Sequence, residues 1–217
     1  MSFQVMLETL SMGFVKTLGI FFWTLVLSMP FGLVVYAGRS AKCTVIRNIT
    51  KFYISIMRGT PLMLQLLVWY FAPYYLWRAN IGNWLYPALV LGFMFNYAAY
   101  FAEIYRSGFE AIPVGQYEAA RLLGYSKFQT TMKIVLPQVV KIVLPSVTNE
   151  IITLVKDTSL VFVVAYAEMF TLAKQIAAAQ TTIIPFVISG AYYFVFCLVV
   201  SFVMERIERL FSYYHYH

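Results

Sequence analysis

The sequence predicts an all-helical, polytopic membrane protein, and three observations carry that prediction. Of its 217 residues, 61% are hydrophobic and only 12% charged, where a soluble domain carries roughly 25% charged residues. Mean hydropathy is +0.74, and the apolar residues gather into long uninterrupted stretches. Most of the lysines and arginines collect between those stretches or at their edges. At about 20 apolar residues per crossing, the chain has room for roughly five or six spans.

Five stretches read as spans of a single domain covering residues 1–217. The first runs from about 13 to 38 and stops at Arg39, Lys42 and Arg47. The second runs from about 52 to 77, with Pro61 expected to bend it, because proline removes a backbone donor and crowds the preceding turn. The third, about 85–106, opens with Pro87, which suits an early helical position. The fourth covers about 140–169 and the fifth about 184–204. Arg39, Lys42, Arg47 and Lys51 occupy the first connection, with Arg58 just inside the next stretch. Arg106, Arg121, Lys127, Lys133 and Lys141 occupy the third, and Arg206 and Arg209 the tail. The opposite side holds mainly Lys16, Arg78 and Lys174. The positive-inside bias therefore predicts an N-out, C-in arrangement. Tyr74, Tyr75, Trp77, Trp84 and Tyr86 fit an aromatic belt at the outer interface.

These features exclude several function classes. The formal charge of +7 lies in loops that set topology and meet anionic membrane lipid, so nucleic acid is no expected partner. Cys43 and Cys197 fall in a cytoplasmic connection and inside a span, which argues against a disulfide framework or a zinc site. Glu8 interrupts the first apolar stretch and no basic leader precedes it, which argues against a cleaved signal peptide. His215 and His217 read as tail rather than metal ligands, so neither a metal site nor a catalytic constellation is expected.

The loop of about 107–139 is the polar exception. Pro113 and Gly115 break the chain before a helix-forming run from about Gln116 to Leu123. Gly124 ends it, as glycine just past a helix commonly does. Ser126 and Gln129 form a capping pattern for a second short helix, which is expected to end or bend at Pro137. Glu118 and Arg121 supply polar edges, Ala119 and Ala120 permit close approach, and Gly124 permits a sharp turn. An ordinary amphipathic linker on the membrane surface would read similarly.

Glu118-Ala119-Ala120, three residues, Gly124, nine residues, Ile134, one residue and Leu136-Pro137 resemble the EAA motif of permease subunits of bacterial type I ABC importers. Met57 to Leu62, Ala102 to Gly108, Ile112 to Gln116, Asn149-Glu150 and Lys156 to Leu160 resemble the polar amino acid uptake branch of that family. The resemblance covers nearly the whole chain. It implies that Glu118, Ala119, Ala120, Arg121 and Gly124 form a coupling helix that docks on an ABC ATPase subunit, which holds ATP and Mg. It further implies a second permease chain, identical or homologous, an extracytoplasmic solute-binding protein, a polar amino acid as substrate and the bacterial cytoplasmic membrane as location. The chain has no G-x-x-x-x-G-K-[ST] phosphate loop, so it is read as no enzyme and as carrying no cofactor of its own.

Charged residues within spans are costly, and those that persist usually line a path or pair. Glu103 lies in the third stretch; Asn149, Glu150, Lys156 and Asp157 lie in the fourth. Helical spacing puts Asn149, Thr153 and Lys156 on one face and Glu150, Leu154 and Asp157 on the adjacent one. Glu150, Asn149 and Thr153 are therefore candidates to contact a zwitterionic substrate in a central cavity, with Lys156, Asp157 and Glu103 as further candidates. A structural pairing of Glu103 with Arg106 is the competing reading. Two other functions remain open at this level: an ion- or proton-coupled secondary transporter, for which the buried acids would be coupling sites, and an assembly protein without transport of its own.

Overall fold

A computed structural model describes residues 2–211; His215 and His217 lie outside them. Helix α1, Phe3–Arg39, begins where the Ser2 hydroxyl accepts a hydrogen bond from the Val5 amide at 3.4 Å. It starts ten residues before the expected span, because Glu8 sits exposed within the helix and does not interrupt it. The buried side of α1 sets small residues, Gly13, Thr17, Thr24, Ser28 and Gly32, among Met6, Leu10, Ile20 and Val35. Small residues let membrane helices approach closely. A Cβ added at Gly32 would lie 2.8 Å from Phe101 Cβ.

Phe101 belongs to α4, Leu85–Glu110, the central helix. Leu89, Phe93, Tyr97, Ala98, Ala99, Phe101 and Ala102 are essentially inaccessible. A helix that is apolar nearly all round must be surrounded, and α1, α2 and α3 pack on it along with α7, defined below. At Gly108 a Cβ would overlap Val143 of α7, which makes glycine the residue that permits this crossing.

The second apolar stretch is two helices, α2 (Thr44–Gly59) and α3 (Leu62–Trp77), separated at Thr60 and Pro61. Each is 16 residues, about 24 Å at 1.5 Å per residue and short of the roughly 30 Å hydrocarbon core. The expected bend is thus a full break, and the first half reaches back eight residues beyond the expected start. Pro61 has no N–H, so the Met57 carbonyl loses its intrahelical donor. Side chains replace it: Gln65 Nε2 and Asn96 Nδ2 donate to that oxygen at 3.0 and 2.9 Å.

After α4, α5 (Val114–Leu122) and the single turn α6 (Lys127–Gln129) lead into a π turn over Thr130–Val135 and then α7, Leu136–Asp157. The second short helix does not end at Pro137. The wider turn just before the proline absorbs the missing bond, so helical structure continues from Lys127 to Val164. Helix α7 gives way at Asp157 to a 3₁₀ segment, Thr158–Val164, and the chain turns at Ala165 with φ 54°. The fourth stretch therefore stops short of 169, and Met169 instead opens α8, Met169–Gln180. Helix α9, Ile184–Leu210, is six residues longer than expected.

Among the described residues the chain is helical without strands. Four helical segments are long and apolar enough to cross a membrane: Phe3–Arg39, Leu85–Glu110, Lys127–Val164 and Ile184–Leu210. No group of His, Cys, Asp and Glu among the described residues has metal-binding geometry.

Candidate functional site

Two regions carry chemistry, an elbow at one end of the bundle and a polar face along α7. The elbow begins at Pro113, which caps α5. Gln116 and Gln138 exchange amide hydrogen bonds at 3.0 and 2.6 Å and tie α5 to the start of α7. At the other end Gly124 adopts φ +80°. Its amide donates to the Arg121 carbonyl, and the Tyr125 amide donates to that of Ala120, both at 3.0 Å. This paired closure of a helix end needs a left-handed residue, which glycine adopts without strain. The Ser126 hydroxyl and Gln129 side chain then form a reciprocal capping box.

The five elbow residues do not all face outward. Glu118, Ala119, Arg121 and Gly124 are exposed, whereas Ala120 is 1% accessible and packs inside the chain. Val114, Leu122, Leu123 and Phe128 also stand in the open. Exposed apolar residues grouped with charges mark an interaction surface. Tyr117 is half-buried beside them, and burial pushes its phenol up from its ordinary pKa.

On α7, Asn149, Thr153 and Lys156 are all exposed, while Glu150 and Asp157 are half-buried on the adjoining face. Asp157 accepts a 2.7 Å hydrogen bond from the phenol of Tyr97, and Glu150 lies within Coulombic reach of Asp157 and of Arg58. Thr153 bonds back to the Asn149 carbonyl at 2.9 Å. Glu103 stands apart from this row. Arg106 grips it through Nε and Nη2 at 2.9 and 2.8 Å, with Arg39 at 3.6 Å and Arg58 at 3.9 Å. The paired reading of Glu103 is the geometry observed.

Sequence reasoning passed over three groups. Tyr97 was hidden among the tyrosines and phenylalanines of α4. Gln65 joins Asn96 in closing the α2–α3 break, and its Nε2 also reaches Thr60 Oγ1 at 2.8 Å. Glu168 is fully buried and caps α8, accepting from the Phe170 and Thr171 amides at 2.8 and 2.7 Å and from Thr17 Oγ1 at 3.1 Å. A Glu three residues before a Thr carries no capping signal of its own, so only the fold exposes that role.

Residues 28–213 match the family described as the binding-protein-dependent transport system inner membrane component. The chain belongs to that family. It is a multi-pass membrane protein of the permease class. It is 32% identical over 203 residues to the L-cystine transport system permease protein TcyB of Bacillus subtilis, covering 92% of this chain and 85% of that one. It is 36% identical over 162 residues to the arginine transport system permease protein ArtQ of the same organism, covering 74% and 73%. A crystal structure of an amino acid ABC transporter with histidines superposes with a TM-score of 0.86 at 30% identity, covering 96% of this chain and 98% of that one. The inward-facing MetNI methionine ABC transporter shares the fold, with a TM-score of 0.77 at 20% identity over 98% and 100% of the two chains.

Proposed function

We propose that this permease carries polar amino acids inward across the bacterial cytoplasmic membrane, as one half of a pathway completed by a second permease chain. The observation that carries the reading is the exposed polar row Asn149, Thr153 and Lys156 on a helix of membrane-crossing length. Such a row cannot face lipid without a solvation cost, and a water-filled path between two permease chains relieves it. Glu150 and Asp157 beside the row suit the ammonium of a zwitterion. Related permeases named for cystine, glutamine and arginine transport support the substrate class.

In this reading α2 and α3 together make a fifth crossing, with the N-terminus outside and the elbow in the cytoplasm. A broken helix is tolerated at membrane depth where side chains satisfy the freed backbone, which Gln65 and Asn96 do at Met57. The elbow of Glu118, Ala119, Arg121 and Gly124, held from within by Ala120, docks on an ABC ATPase that binds ATP and Mg. Closure of two such ATPases moves the two elbows together and tips the pathway between its outward and inward openings. A solute-binding protein delivers the amino acid from outside.

The experiment is reconstitution of this chain with an ABC ATPase and a solute-binding protein from the same organism. Uptake of a labelled amino acid should require ATP, and Gly124→Trp, which places a large side chain on a left-handed turn in the elbow, should cut uptake and substrate-stimulated hydrolysis at least about tenfold while the protein still inserts. Full coupling in Gly124→Trp would remove the docking role, and uptake driven by an ion gradient without ATP would remove the whole reading.

A further inference from the structure

Three arginines converge where α1, α2 and α4 meet, and they are not equivalent. Arg106 holds Glu103 through two short bonds and reaches Glu110 at 2.5 Å. Arg39 and Arg58 stand farther from Glu103, at 3.6 and 3.9 Å. Arg58 is both the most loosely held and the most exposed, at 44% of its side chain against 24% for Arg39 and 30% for Arg106. All three guanidiniums face Glu103, and Arg106 alone also reaches Glu110, so Arg58 carries the charge that these carboxylates hold least.

Its position at the end of α2 aims that charge across α4. The guanidinium covers the ring of Tyr100 at 5.2 Å, and the Tyr100 and Tyr97 rings stand 6.3 Å apart. Tyr97 in turn holds Asp157 at 2.7 Å. A pair of tyrosines on α4 thus carries a cation at one end and a carboxylate at the other. Glu150, seven residues before Asp157 on α7, interacts electrostatically with both. Lys156, a further candidate from the sequence, lies within electrostatic reach of Cys197 of α9 and of its neighbour Asp157.

We propose that Arg58 is a substrate-binding residue whose guanidinium takes the α-carboxylate of the transported amino acid while Glu150 and Asp157 take its ammonium. The inference rests on the α7 face being the pathway. Guanidinium matches a carboxylate through two parallel N–H donors. Because Arg106 already satisfies Glu103, Arg58 can leave that carboxylate for a ligand without stranding a bare charge.

The test uses the permease assembled with its ATPase in nanodiscs, without the binding protein. The probes are L-glutamine and L-arginine, each against its α-amide, which keeps the ammonium and side chain but lacks the carboxylate. The wild type should bind at least one amino acid about tenfold or more tighter than its amide, as expected for a charge-assisted bidentate contact. Arg58→Gln should weaken the amino acid about tenfold and leave the amide within about twofold, so the preference collapses. Arg58→Lys, which keeps charge but not the planar fork, should retain part of the preference and carries the comparison if the Gln variant fails to assemble. Equal weakening of acid and amide, an undiminished preference in both variants, or a wild type that binds neither probe would overturn the proposal. If an Arg58 variant keeps the preference while Glu150→Gln cuts ATP-driven uptake in proteoliposomes about tenfold, only this inference falls. If wild-type proteoliposomes that hold the ATPase and are given the binding protein accumulate no amino acid, the transport reading itself falls.

Discussion

Helix α9 and the segment Lys127–Val164 that contains α7 are both long and apolar enough to cross a bilayer, and both expose a long face in the single chain, yet the two faces differ in kind. Along the middle of α9, before the charged end at Glu205, Arg206 and Arg209, the exposed residues include Phe194, Val195, Leu198, Val199, Phe202 and Val203. Along α7 they include Asn149, Thr153 and Lys156. Lipid solvates the first set at no cost and the second only at a penalty. Exposure in an isolated membrane chain is therefore two different observations: an apolar face needs only lipid, whereas a polar face needs water or another protein chain.

The sharpest way to break this contrast is to move a charge from one face to the other. Leu198→Lys should cost about 3 kcal/mol on insertion at a lipid-facing site and strongly depress the amount of folded permease recovered from membranes. Lys156→Leu should leave recovery unchanged. Equal recovery of Leu198→Lys and wild type would mean that α9 faces something other than lipid.

A smaller effect is expected at the junction behind the polar face. Tyr97→Phe removes the donor to Asp157, and a hydrogen bond to a charged group contributes about 1.5–3 kcal/mol. The thermal midpoint of the purified complex should fall by several degrees. An unchanged midpoint would show that Asp157 finds water there as readily as the phenol.

On the polar face itself, Glu150→Gln keeps shape and removes charge. Uptake of the preferred amino acid in proteoliposomes should fall about tenfold, the equivalent of roughly 1.4 kcal/mol, with little change in midpoint. Unaltered transport and selectivity would take Glu150 out of the pathway.

The mildest perturbation tests orientation. Cys43 is exposed just before α2, where the Ile46 and Val45 amides lower its pKa. It therefore holds more thiolate near neutral pH than an ordinary cysteine and should react readily, while Cys197 within α9 should not. A membrane-impermeant maleimide should label Cys43 in inverted vesicles and spare it in right-side-out cells. The opposite pattern would reverse the N-out assignment.

Much of this was legible in the chain because membrane solvation writes itself into composition. The helical character and the spacing that puts Asn149, Thr153 and Lys156 together depend only on local periodicity. So do the glycine turn at Gly124 and the Ser126 capping box. The outcome at Pro61 was not legible, because whether a proline bends or breaks a helix depends on partners for the freed carbonyl. Those partners are Gln65 and Asn96, and the latter lies 39 residues from Met57. For the same reason, no local pattern marks Glu168 as the cap of α8 or splits Ala119 from Ala120.

The sequence by itself determined that this is a helical membrane protein, which stretches are apolar, where its polar elbow lies and which family it joins, since those follow from local composition and ordered motifs. Only the tertiary structure decided that Glu103 is held by arginines from three helices, that Tyr97 holds Asp157, and that Arg58 is the most loosely held of those arginines. Electrostatic pairing acts across a few ångströms of space, between residues that the chain keeps far apart until it folds.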